Sequence, residues 1–255
     1  MVNSTPENTR LSEIKLSCSN CNLAELCLPR GLKLKELDKM EKIIKRSKPI
    51  QKGDYIFRNG DPFRSLYAVR SGTIKIYTTT DDGNKQIMGF YFPGEIIGFD
   101  GIEKDTHQCS AVALETSTYC AINFNSLEDI SSVIPGLQHQ IFRLMSKEVT
   151  TENKLLLTLC NKNAEERIAT FLISLSHRFE QRGYSANEFK LVMSRQDIGN
   201  YLGLTIETVS RIFSKFQREH VIDTNQKIIH LKNMKTLHQI CKKSSESGDN
   251  QSYVA

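Results

Sequence analysis

The sequence predicts an α+β chain: an antiparallel β-roll of jelly-roll type, then a long dimerisation helix, then a C-terminal winged helix-turn-helix domain. Three observations predict it. Residues 49–124 break into short β-type runs between turn residues; the stretch after Pro135 loses its glycines and takes up a helical period to about Cys160; and "SRQDIGNYLGLTIETVSRIFSKFQ", Ser194 to Gln217, places two short amphipathic helices either side of a glycine. The boundaries expected are an arm over 1–29, the β-roll over 30–132, the long helix over 133–160, the DNA-binding domain over 161–240 and a polar tail over 241–255.

The composition suits such a chain. Of 255 residues, 39% are hydrophobic and 25% charged, the balance of a folded protein with a real core. The first thirty residues lack a basic segment followed by an apolar run, and no window approaches the roughly 20 apolar residues that span a bilayer. The expected location is therefore cytoplasmic, with no membrane partner. A reducing compartment disfavours disulfides, and seven is an odd number for a disulfide framework, so metal binding is the better default for the cysteines. Residues 162–255 hold 14 Lys and Arg against 10 Asp and Glu, so most of the net charge of +5 lies there, a mild hint of a polyanionic partner.

Residues 1–17 are polar and read as a mobile arm. Directly after them "CSNCNLAELC" spaces Cys18, Cys21 and Cys27 as C-x2-C-x5-C, and a metal site usually needs a fourth ligand. The β-type runs are "DYIFRNG", "SLYAVRSG", "TIKIYTTT", "QIMGFYF" and "TSTYCAINF". Between them stand Gly53-Asp54, Gly60-Asp61, Ser71-Gly72, Asp82-Gly83-Asn84 and Pro93-Gly94, the punctuation of an antiparallel sandwich or jelly roll.

In the long helix, Phe142, Met145, Val149, Glu152, Leu156 and Leu159 fall at spacings of 3, 4, 3, 4 and 3, a heptad seam with one acidic member. A helix lying on its own domain is the plainer alternative, kept alive by Ile141, Leu144 and Leu155. The strict 3.5-residue repeat favours two helices packed on each other. In a symmetric pair Glu152 would face its own copy, so the dimer should be marginal.

In the DNA-reading segment Ser194 caps a first helix whose Ile198 and Leu202 face inward, Gly199 permits close helix approach, and Gly203 fits the turn that Leu204 anchors. A second helix from about Thr205 should bury Ile206, Val209, Ile212, Phe213 and Phe216 and expose Glu207, Ser210 and Arg211. Arg211 suits guanine O6 and N7, Glu207 suits cytosine N4, and Ser210 can reach a neighbouring base. A solvated face is the bland alternative, but an acid on a surface that approaches phosphates is unfavourable unless it reads a base. "VIDTNQKIIHL" would form the wing. His177, Arg178, Arg182 and Lys215 read as generic surface or phosphate-contacting charges.

This order of parts resembles the CRP/FNR family of bacterial transcription regulators, over nearly the whole chain. The resemblance implies a cyclic-nucleotide-binding-domain-like β-roll, a homodimer, double-stranded DNA with an inverted-repeat operator of the TTGAT...ATCAA kind, and contact with RNA polymerase. For that contact it points to Ser71, the turn of Asp82, Gly83, Asn84 and Lys85, and the loop from Gln181 to Glu188. Family members that bind cyclic nucleotide carry an arginine-serine pair downstream of a segment like "PGEIIGFDG". Here "HQCSAVALE" places Cys109 and Ser110 there, which implies no cyclic nucleotide.

The opening cysteine motif is similar to the cluster-binding arm of the family's oxygen-sensing members, as are "NKNAEERIATFLISLSHRFEQRGYS" and "DIGNYLGLTIETVSR". In those members the fourth ligand comes from the distal end of the β-roll, where this chain has Cys120 in "TYCAINF". Without the resemblance Cys120 would read as a small apolar strand residue. Four thiolates suit zinc or an iron-sulfur cluster alike; the resemblance implies one [4Fe-4S] cluster per subunit, with zinc the runner-up. It further implies a dimer on DNA when the cluster is present, and a monomer off DNA after oxygen. Leu26 and Leu28 flank Cys27 and would limit oxygen access, and Asn22 would tune reactivity. Cys109, Cys160 and Cys241 are left as structural or incidental. An enzyme is disfavoured, since the sequence offers no nucleophile with a His and acid partner and no glycine-rich phosphate loop.

Overall fold

The computed structural model describes residues 17–246; most of the polar arm and the last nine residues of the expected tail lie outside them. In chain order the elements are α1 (Leu34–Ile43), β1 (Ile44–Arg46), β2 (Tyr55–Phe57), β3 (Ser65–Ser71), β4 (Ile74–Thr79), β5 (Lys85–Tyr91), β6 (Ile96–Ile97), β7 (Ser110–Ala113), β8 (Thr118–Asn123), α2 (Phe124–Val133), α3 (Pro135–Asn161), α4 (Ala164–Glu180), β9 (Glu188–Lys190), α5 (Arg195–Leu202), α6 (Ile206–Arg218), β10 (Ile222–Asn225), β11 (Ile228–Leu231) and α7 (Met234–Glu246). The β-roll is two antiparallel four-stranded sheets, in the orders β1-β8-β3-β6 and β2-β7-β4-β5. Their inner faces bury alternate residues, as a pleated sheet with one wet side must. Leu66, Ala68, Ile96 and Ile122 fill one core of the roll; Phe57, Val69, Ile74 and Ala111 fill the other.

The 27 residues of α3 begin with Pro135 at the first helical position, where its missing N–H costs nothing. One stripe of the helix lies on its own β-roll: Leu137 is fully buried, and Ile141 and Leu144 pack on the same core. The opposite stripe is bare in the single chain, with Phe142 60%, Val149 57% and Leu156 59% exposed. Leu159 closes the stripe at the C-terminal end of α3. It is half-buried, and its carbonyl accepts a bond from Arg167 Nη2 at 2.7 Å.

One part differs from the sequence expectation. Helix α7 runs to Glu246, so the segment after residue 241 starts inside a helix that Leu237 and Ile240 pin to the core. The packing between domains is a further feature, for which the sequence carried no expectation: the DNA-binding domain shares a core with the β-roll. Tyr77, Ile87, Phe90, Phe92 and Val112 of the β-roll share one core with Ile168, Phe171, Leu172, Leu175 and Phe216. The Phe90 ring meets Phe171 at 6.2 Å and Tyr201 at 5.2 Å, both edge-on, the arrangement ring quadrupoles favour.

Polar contacts close the same boundary. Lys75 Nζ lies 2.7 Å from Asp197 Oδ1, and the Asn200 side chain accepts from the Ile87 N–H and donates to the Lys85 carbonyl, both at 2.6 Å. Arg178 and Arg182 converge on Glu95 and lie over the Phe92 ring. Neither arginine is therefore a generic surface or phosphate-contacting charge; Arg178 at the end of α4 and Arg182 just past it both reach toward the β-roll. Lys215 is likewise paired, with Glu165 at 2.6 Å.

Candidate metal centre and nucleic-acid interface

The three arm cysteines and Cys120 come together at one end of the β-roll. A short helical turn, Cys18–Asn20, is followed by successive tight turns, in which Cys21 N–H bonds the Cys18 carbonyl at 3.3 Å and Cys27 N–H bonds the Ala24 carbonyl at 3.4 Å. Cys18, Cys21 and Cys120 line one cavity of about 350 Å3, together with Asn22, Arg46, Arg70, Ser71, Pro93 and Tyr184. Cys27 stands behind them, near enough to feel the charges of Cys18, Cys120 and Cys21.

Burial, and then the Glu41 carboxylate, push the Cys18 thiol up to about 12; burial does the same to Cys27. Burial also raises Cys120, against the pull of Arg46 and Arg70. Thiols gathered this way ionise only when a cation takes the proton's place. Among the described residues, no group of three or more His, Cys, Asp or Glu side chains already stands at metal-binding spacing. The donor set nevertheless fits a soft thiolate-bound group, because three sulfurs from two chain segments line one pocket and a fourth, Cys27, stands directly behind it.

Around the sulfurs the arm is anchored. Leu28, fully buried, belongs to the core of the roll, and Leu26 lies so close to Gly94 that a Cβ there would come within 2.8 Å of it. Cys18 N–H donates to Glu41 Oε2 at 3.0 Å, and Glu41 pairs with Arg46 at 2.5 Å. Buried Gln140 of α3 donates its Nε2 to the Cys27 carbonyl at 3.3 Å, so the arm touches the long helix directly. Gln140, Glu41, Arg46, Arg70 and Tyr184 were missed by sequence reasoning. Only the fold shows that Arg46 is the cross-strand neighbour of Cys120.

The remaining cysteines stay apart. Cys109 is buried with its N–H on Asp100 at 3.2 Å, Cys160 is exposed, and Cys241 lies 3.4 Å from Thr170 Oγ1. Ser110 faces inward and accepts the Asn59 N–H at 3.0 Å.

The helix-turn-helix is built as its sequence requires. Ser194 caps α5 with a reciprocal bond pair to Asp197, and Thr205 caps α6 through the Thr208 N–H. Gly203 ends α5 in the left-handed region at φ 63°, and a Cβ on Gly199 would strike the Leu204 carbonyl oxygen at 2.6 Å. Helix α6 buries Val209, Ile212, Phe213 and Phe216, each contributing about 1.5–3 kcal/mol. Ile206 is 46% exposed, which corrects its assignment to the core: it sits at the first helical position, outside the packed stripe. Glu207, Ser210 and Arg211 are all exposed on one face, and β10, β11 and β9 form the wing sheet.

Of the residues suggested for polymerase contact, Asp82, Gly83, Asn84 and Lys85 form the exposed β4–β5 hairpin turn. Ser71 is exposed on the rim of the cysteine cavity, bonded to Thr118 Oγ1 at 2.7 Å.

Comparison with known proteins places these parts. Residues 47–132 match the cyclic nucleotide-binding domain and residues 166–240 the Crp-like helix-turn-helix domain. The chain is 51% identical over 214 residues to Electron transport regulator A of Shewanella oneidensis, covering 84% of this chain and 86% of that protein. To the Fumarate and nitrate reduction regulatory protein it is 48% identical in Escherichia coli K12, over 88% of this chain and 90% of that one. To the Vibrio cholerae protein of the same name it is 46% identical, over 97% and 100%. Among solved structures, FixK2 from Bradyrhizobium japonicum superposes with a TM-score of 0.71 at 29% identity, covering 78% of this chain and 97% of that one. These relatives are transcription regulators, not enzymes. With a β-roll, a long helix and a Crp-like reading head in one chain, this protein belongs to the CRP/FNR family of DNA-binding transcription regulators.

Proposed function

We propose that this regulator senses oxygen through one [4Fe-4S] cluster per subunit, held by Cys18, Cys21, Cys27 and Cys120. The observation that carries the reading is the meeting of Cys18, Cys21 and Cys120 in one pocket, with Cys27 directly behind it and its carbonyl bonded to Gln140 of α3. When bound, the cluster supplies an oxygen-labile link among four thiolates. The arm residues do the rest. Leu28 fixes one end of the arm, and Gln140 ties Cys27 to the helix whose far stripe is the bare heptad seam.

With the arm held, two chains pair along Phe142, Met145, Val149 and Leu156, offsetting the repulsion between the two Glu152 carboxylates. Two recognition helices then reach half-sites one helical turn apart on double-stranded DNA, as a dimer of this kind requires. Glu207, Ser210 and Arg211 read an inverted repeat. After oxygen the arm is released, the pair separates and DNA is let go, in the cytoplasm and without cyclic nucleotide. At promoters the Asp82–Lys85 turn and Ser71 are the offered contacts for RNA polymerase.

The test is purification without oxygen, with visible spectrum, iron and sulfide measured before and after air. A brown protein with about four irons and four sulfides per chain, bleaching in air, is expected. A colourless protein holding one zinc would keep the DNA-binding role and overturn the sensor.

A further inference from the structure

The cysteine cavity carries a cation that the ligand set alone does not explain. Along β3 the pairing with β8 runs from Val69 opposite Tyr119 to Ser71 opposite Thr118, so Arg70 is the extra residue of a bulge. Bulges commonly re-aim a side chain at a site, and Arg70 lines the cavity with Cys18, Cys21 and Cys120. Among the described residues no carboxylate lies within ion-pair distance of it. The neighbouring arginine differs: Arg46 lines the same cavity but is matched by Glu41 at 2.5 Å. One half-buried guanidinium therefore faces the sulfurs uncompensated.

We propose that Arg70 is the counter-charge of the cysteine cavity, a positioning residue that stabilises an anionic metal–thiolate group there. Four thiolates around a divalent ion, or around a cluster core of the same charge, leave a net double negative charge that is costly to bury. A guanidinium held at the cavity wall offsets part of it. The inference rests on the reading of the four cysteines as ligands, but not on which metal they hold.

The test uses cobalt(II) as the probe, titrated into the apo chain without oxygen, with sulfur-to-cobalt charge-transfer absorption as the readout. Arg70→Gln is expected to weaken cobalt binding by roughly tenfold, as loss of one partly screened opposite charge would. Arg70→Lys should stay close to wild type, Arg30→Gln, on the arm away from the cavity wall, should change nothing, and 0.5 M salt should narrow the gap. In chain reconstituted with iron and sulfide, Arg70→Gln should also bleach faster in air, since losing a nearby cation makes an anionic cluster easier to oxidise. Wild-type affinity in Arg70→Gln, or a Lys variant as weak as the Gln variant, overturns the proposal. A wild-type chain with no thiolate–cobalt band overturns the ligand reading itself, and the proposal with it.

Discussion

Replacing Glu95 by Gln tests whether the β-roll and the DNA-binding domain are held together as described. Glu95 Oε1 accepts from Arg178 Nε at 3.1 Å and from Arg182 Nη2 at 2.7 Å, and Oε2 accepts from the Phe92 N–H at 2.9 Å and from Arg178. Its side chain is 14% exposed and that of Arg182 only 3%. Burial would raise the carboxyl, but Arg178 and Arg182 override it and bring it from 4.5 to about 2. At 1.36 kcal/mol per pKa unit that difference is about 3 kcal/mol of folding free energy, in the range expected when one member of a buried ion cluster is removed.

The folded carboxyl is depressed, so its contribution is complete above pH 4.5 and fades as pH falls toward 2. Urea unfolding of the reduced apo chain, followed by circular dichroism, should show Glu95→Gln less stable by about 3 kcal/mol at pH 7. The gap should hold constant from pH 8 to pH 5 and shrink below. A gap under about 1 kcal/mol at pH 7, or one that does not shrink in acid, would refute the claim that this carboxylate clamps the two domains.

Three further outcomes are expected. Glu152→Ala should sediment as a dimer without any cofactor, because the bare stripe of α3 loses its one acidic member; a variant found only as monomer would sink the marginal-seam argument. Gly199→Ala should lower stability by about 1–3 kcal/mol in thermal melts, since the added methyl meets the Leu204 carbonyl oxygen 2.6 Å away; an unchanged melt would show that the turn can relax. Arg211→Ala should weaken binding to the cognate operator by about 1–3 kcal/mol and relax preference at a single base pair, whereas a uniform loss across sequences in gel shifts would mean that it contacts phosphate.

The helix-turn-helix was legible because its determinants are local: Ser194 and Thr205 as caps, Gly203 as the left-handed stop and the apolar stripe from Val209 to Phe216 all act within a turn or two of themselves. The β-roll was legible as texture but not as pairing. Short strands such as β1 and β6 carry too few residues to show a period, and α1 and α2 are ten-residue helices beside the β-type runs. At the cavity, three cysteines announced themselves by spacing, and the fourth needed the family. Arg46 and Arg70 could not be found because a lone arginine in a strand looks like any surface charge. The same blindness affected Arg178, at the end of α4, and Arg182, just past it, which β5 and the Phe92–Glu95 turn cover.

The shared core bears on how exchangeable the two halves of such a regulator are. Phe90, Phe92 and Glu95 belong to the β-roll half in sequence but complete the hydrophobic and ionic shell of the reading head. A chimera cut at residue 162 would separate Glu95 from Arg178 and Arg182, and Phe90 from Phe171 and Tyr201. New specificities grafted onto this chain will therefore be tolerated most readily on the face of α6 that exposes Glu207, Ser210 and Arg211. Whole-domain transplants should succeed only when the strand β5 surface travels with the head that packs on it.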